Sequence, residues 1–233
     1  IFFCASVIPT AVSSAASPQP LADVKLDVPG LYKNSPVAAV GCLLVGVANG
    51  AWGTLGAVYG ARAGLASGNV ALMMSLVVLF GALAQVPVGR ASDRTDRRYV
   101  LAAASFGAAL CGLVMFLFMP RELAPILIIT GLYGGLAYTL YSIAVAHAND
   151  HAKPEDFVKV SGGLLFLYGF GTMIGPLLGA ALMGEMRPEG LFLATAAPHL
   201  ALGAYSLLRV RLRAPVPIED REAFLTLPSD RIG

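Results

Sequence analysis

Apolar and polar positions in this chain fall into long blocks, not the short alternation of a strand or of a half-buried soluble helix. Unbroken apolar stretches cover Pro36–Gly60, Val70–Val88, Tyr99–Met119, Leu123–Ala146, Phe157–Met183 and Gly190–Leu208. Each is close to the roughly 20 residues that a helix needs to cross a bilayer core. Between them lie short polar breaks: Arg62 to Asn69, Gly89–Arg98, Pro120-Arg121-Glu122, His147–Asp156 and Glu185–Glu189. Pro154 followed by Glu155 and Asp156 reads as a helix start, because proline suits the first turn and acids favour the positive end of the dipole. The pattern predicts an all-α membrane protein with six complete spans over 36–208. Ile1 to Ala16 is an apolar run, about 16 residues and so short of a full crossing; it reads as the end of a preceding transmembrane helix. A signal-peptide core ending in Ser-Ser-Ala-Ala-Ser is the alternative, and the absent basic segment before it counts against that. Residues 17–35 read as a proline-punctuated linker and 209–233 as a polar tail.

Composition agrees with a membrane protein: 57% of residues are hydrophobic and 13% charged, where a soluble domain has about a quarter charged. A net charge of +2 is too small to argue for nucleic acid, and the cations alternate by side. Thirteen of the sixteen Lys and Arg fall in the linker, the break at Gly89–Arg98, the break at His147–Asp156 with Lys159, and the tail. Only Arg62, Arg121 and Arg187 fall in the other breaks. By the positive-inside rule the linker, the charged break and the tail are expected on the cytoplasmic side. Cys4, Cys42 and Cys111 lie in apolar stretches without C-x-x-C or His-paired spacing, which supports neither a disulfide framework nor a metal site. No cofactor is expected, and no nucleophile, base and orienting group come together as a catalytic set.

Two stretches carry more than topology. Gly89-Arg90-Ala91-Ser92-Asp93-Arg94-Thr95-Asp96-Arg97-Arg98 packs six charges into ten residues. Gly89 permits close backbone approach, and Asp93 is an acceptor for arginines or a helix N-terminus. Arg97 and Arg98 fall near a helix start, where the dipole disfavours cations, so both need acidic partners. Asp96 suits the N-cap of that helix, worth about 1 kcal/mol. In the fifth span, Gly171, Gly175 and Gly179 recur four apart beside Pro176, a flat face for helix packing with one backbone donor removed. Gly46, Gly50, Gly53, Ala57, Gly60 and Gly64 form a similar stripe on the first span.

The charged break resembles the signature loop of the major facilitator superfamily, which joins the second and third helices of each six-helix half. The match rests on Gly89, Asp93, Arg94, Arg97 and Arg98; Asp96 departs from it, since the family pattern has glycine there. The Gly171 to Gly179 run looks like the Gly-Pro motif of antiporter-type members, displaced from the first half to the second. The resemblance covers Pro36 to Leu208 as the last six helices of a twelve-helix transporter, built from two inverted three-helix repeats with a substrate site near the midplane. It implies a secondary active transporter in the plasma membrane, working by alternating access. Its partners would be a small-molecule substrate, the lipid bilayer, an N-terminal six-helix half and, as a candidate coupling ion, the proton. Gly89, Asp93, Arg94, Arg97 and Arg98 would form a cytoplasmic latch.

The same resemblance makes Asn49, Trp52, Tyr59, Gln85, Tyr138 and Tyr141 candidates for the substrate cavity, because polar groups at membrane depth should face protein or water. His199, beside Pro198 in the sixth span, is the titratable group deepest in a span, and a structural role bonded to a carbonyl freed by Pro198 is expected for it. His147, Asn149, Asp150 and His151 read as a solvated turn. A non-transporting scaffold or receptor is the alternative reading; a membrane-embedded enzyme fits less well, since it would need facing His, Asp or Glu clusters.

Overall fold

In the computed structural model, residues 27–153 and 156–212 are described. The expected helix end at 1–16, the first part of the linker and the tail beyond 212 lie outside the described residues. Those that are described form helices without strands: α1 (Val28–Asn34), α2 (Pro36–Arg62), α3 (Ser67–Arg94), α4 (Arg97–Phe118), α5 (Leu123–Ala137), α6 (Leu140–Asn149), α7 (Phe157–Glu185) and α8 (Gly190–Leu212). With α5 and α6 taken as one interrupted span, six helices among the described residues are long and apolar enough to cross a membrane. The fold is an all-helical, multi-pass membrane domain.

The helix starts follow local chemistry. Asp27 caps α1 by accepting from the Gly30 amide at 2.8 Å, so part of the 17–35 segment is helical. Ser35 caps α2 immediately before Pro36, where the missing proline donor costs nothing. Asp96 caps α4 through a 3.0 Å bond from the Arg98 amide. α4 ends at Met119 in the left-handed region, φ 44, and Arg187 closes that end by donating to the Phe116 carbonyl at 3.0 Å.

The packing has a two-fold logic. Among the spans, the first packs most heavily on the fifth (α2 on α7), the second on the fourth (α3 on α5) and the third on the sixth (α4 on α8). Exchanging the first three spans with the last three maps each of these pairs onto another or onto itself, as an inverted repeat requires. Glycine sets both close approaches. A Cβ on Gly46 would strike the Tyr168 carbonyl, one on Gly171 the Leu43 carbonyl and one on Gly175 the Val47 carbonyl, while one on Gly50 would sit 2.6 Å from Thr172 Cα. In the equivalent pair, a Cβ on Gly134 would strike the Val77 carbonyl. The stripe expected on the first span is therefore divided: Gly46 and Gly50 meet α7, Gly60 meets Val70 and Met73 of α3, and Gly53 meets nothing within 4 Å.

Candidate functional site

The charged break is mostly helix. α3 continues through Gly89 to Arg94 and α4 begins at Arg97, leaving Thr95 and Asp96 as the only non-helical residues of the stretch. Asp96 takes φ −65 and ψ 117, a backbone that any residue adopts, which explains why glycine is not needed there. Its carboxylate also receives the Arg98 guanidinium, at 2.6 Å from Nη2 and 3.0 Å from Nε. Burial alone would raise the Asp96 pKa, but the hydrogen bonds and charge of Arg98 hold it below its ordinary 3.8. The stabilisation it contributes is complete above that value and is lost as the pH falls through the lower folded pKa. Arg98 Nη1 reaches the Arg209 carbonyl at 3.0 Å, which ties the start of α4 to the end of α8.

Arg97 is the centre of the site, with its side chain only 1% exposed. Its Nη1 donates to Asp93 Oδ1 at 2.7 Å and to Ser92 Oγ at 3.2 Å. Its Nε and Nη2 grip the carboxylate of Asp150 at 2.7 and 3.3 Å. Asp150 caps the C-terminus of α6 and its side chain is 2% exposed, so the solvated turn expected around it is corrected. A cation at the start of α4 and an anion at the end of α6 each oppose their own helix dipole; paired, they satisfy each other. That mismatch of Asp150 with its own helix end was the available sequence signal. Also on this rim, His147 is buried and stacks edge-on to His151 with ring centroids 4.8 Å apart. Asn34 of α1 donates to the Ala148 carbonyl at 3.3 Å. Of the remaining residues in the motif, Gly89 is buried within α3 and Arg94 is exposed at its end.

The candidates at membrane depth divide into two groups. Asn49, Tyr138, Tyr141 and Gln85 are half-buried. Asn49 Nδ2 donates to the hydroxyl of Tyr168 at 3.4 Å, and the rings of Tyr141 and Tyr168 lie 4.9 Å apart. Tyr168 of α7 thus joins a polar and aromatic face that the sequence reading assembled without it. Gln85 does not present a free amide to this face; its Nε2 donates to the Tyr138 carbonyl at 3.0 Å. Trp52 and Tyr59 turn the other way, at 0% and 1% exposure. Trp52 packs on Tyr133 and Phe192 at 5.5 and 6.0 Å, and Tyr59 on Phe192 at 4.6 Å, which places both inside the helix bundle. His199 closes this inner cluster, 5.8 Å from Tyr133. Neither ring nitrogen has a hydrogen-bond partner among the described residues, so the expected bond to a freed carbonyl does not form. Gly171, Gly175 and Gly179 with Pro176 lie on α7, the first two against α2 backbone. Among the described residues no three His, Cys, Asp or Glu side chains group as metal ligands.

Comparison with known proteins agrees with this architecture. The model of the Major Facilitator Superfamily matches residues 37–229. A protein of Salmonella arizonae described as an uncharacterized MFS-type transporter, YcaD, is 32% identical over 178 residues, 76% of this chain and 45% of the relative. Proteins of the same description from Salmonella paratyphi B and Salmonella newport are 30% identical over the same share of each chain. The chain spans less than half the length of these relatives. With six apolar spans, paired packing of its helices and a family match over most of its length, this chain belongs to the major facilitator superfamily.

Proposed function

We propose that this chain is the C-terminal half of a secondary active transporter that moves a small solute across the plasma membrane by alternating access. Family membership supports a transporter rather than an enzyme. The observation that carries the mechanism is Arg97, buried and shared between Asp93 of α3 and Asp150 of α6. A charge enclosed this way holds three helix ends in one arrangement, and displacing any one of them breaks a charge-assisted contact of Arg97. Asp93 and Arg97 are the working parts of this latch; Asp96 shapes the turn, Gly89 is buried in the last turns of α3, Arg98 anchors α8, and Arg94 is left at the surface for the other half. Asn49, Tyr138, Tyr141 and Tyr168 form this half's share of the substrate face. α3 and α7 are the least enclosed spans, 17% and 22% buried over their apolar windows, so their outer faces are the surfaces for an N-terminal six-helix half and for lipid. The latch rim lies on the cytoplasmic side, where the cations gather.

Two measurements test this reading. A solute that raises the thermal stability of the full-length protein is expected to be transported in proteoliposomes, and Asp93→Asn is expected to abolish that transport with membrane insertion unchanged. Wild-type rates in the variant would refute the latch. For orientation, single cysteines are placed at two exposed positions, Thr95 and Ser67. Thr95→Cys should react with an impermeant maleimide only from the cytoplasm and Ser67→Cys only from outside; the reverse pattern would invert the topology.

A further inference from the structure

We propose that Gln85 is a positioning residue: it holds open a built-in break in the fourth span, which lets α6 act as a lever between the polar face at membrane depth and the ion pair at the rim. The break falls at Tyr138 and Thr139, between Ala137 and Leu140, with no proline to cause it. Both residues keep near-helical angles, φ −79, ψ −11 and φ −83, ψ −21, yet a side chain from another helix takes up a carbonyl of the interrupted turn. The Tyr138 carbonyl, which an unbroken helix would give to the amide of Ser142, receives Gln85 Nε2 at 3.0 Å. The hydroxyl of Thr139 also donates to the Leu136 carbonyl at 2.8 Å, the local contact that Thr172 and Thr195 make inside unbroken helices. In hydrocarbon an interrupted helix persists only where such groups satisfy the freed backbone. Gln85, projecting from α3, is therefore what makes the break tenable.

The two pieces belong to different neighbours. α5 packs on α3 and α4, whereas α6 packs chiefly on α2. The first attachment is rigid: Gly134 leaves no room for a Cβ beneath Val77, and a Cβ on Gly81 would lie 2.9 Å from the Tyr138 ring. α6 meets that seam only at its edge, with its largest contact on α2 and its next on α4. Its ten residues make a rod about 15 Å long. At one end stands Tyr141, against Tyr168; at the other, Asp150 holds Arg97. A shift of Tyr141 on its aromatic neighbour reaches the Arg97 to Asp150 pair through a single stiff element, and loss of that pair loosens the break in return. Coupling of this kind is reciprocal.

The meaning of the two ends rests on the transport reading above, but the test measures mechanical coupling alone. Hydrogen exchange of the full-length protein in nanodiscs is read by mass spectrometry. Gln85→Met keeps the side chain's length and removes its donor. It is expected to speed exchange about tenfold, within the range of linked sites, in peptides covering 138–142 and also 147–152, with 123–135 unchanged. Asp150→Asn, made at the other end, is expected to speed exchange at 138–142. Effects confined to the mutated end in either variant would overturn the lever. Should Gln85→Met loosen every span, the Asp150→Asn arm decides: exchange at 138–142 rises while 123–135 stays protected, or the proposal fails. A protein that passes this test but moves no solute would contradict the transport reading and leave the lever standing.

Discussion

Asp150→Ala is expected to cost the protein about 3–5 kcal/mol, the penalty of leaving a buried charge without its partner. Arg97 is almost wholly enclosed and takes its two-pronged contact from Asp150. Asp93, an acidic partner on α3, is 27% exposed, so water compensates part of its loss. Asp93→Ala should therefore cost only about 1 kcal/mol, in the range of partly exposed pairs. The order of the two effects is the test. Thermal unfolding of the full-length protein in a single detergent should place Asp150→Ala well below Asp93→Ala. Equal shifts would mean that Arg97 is not held mainly by α6. The double replacement Arg97→Met with Asp150→Leu should recover most of the stability, since an apolar pair of similar volume commonly replaces a buried ion pair without loss. The same double variant would lack the latch and should fail to transport.

Gly175→Val is expected to prevent assembly of α2 against α7. Overpacking a tight core costs about 1–3 kcal/mol and sometimes more, and here the added carbon would meet the backbone carbonyl of Val47. A backbone atom in a helix has no alternative rotamer, so relief requires the two helices to separate along their length. Gly171→Val should behave alike against Leu43. On the same helix, Gly184 has nothing within 4 Å of an added Cβ, and Gly184→Ala should be neutral or gain up to about 1 kcal/mol of helix propensity. Size-exclusion profiles and melting temperatures of the three variants separate close packing from a general intolerance of α7 to substitution. Gly179 is an intermediate case: its nearest neighbour is Leu55 Cδ1 at 2.8 Å, the mobile end of a side chain, and Gly179→Ala should be the milder change.

The sequence by itself determined the number of spans, because a bilayer demands a minimum apolar length and the chain marks each end with charge, proline or glycine. It determined that Arg97 and Arg98 required acidic partners and that Asp96 would cap α4, since helix polarity and capping act within a single turn. It also located the glycines of α7 as a packing surface. The tertiary structure decided which partner each of these features met. Asp150 lies 53 residues from Arg97, and no local rule joins the end of one helix to the start of another. The structure also decided that Trp52 and Tyr59 face inward while Asn49 shares a polar face with Tyr168. In water, the apolar stripe of a helix shows which side is buried. In lipid, the outside of the bundle is as apolar as its core, so hydrophobic periodicity no longer separates them. What then distinguishes the faces is close backbone approach and the pairing of polar groups, both of which exist only once the helices have packed.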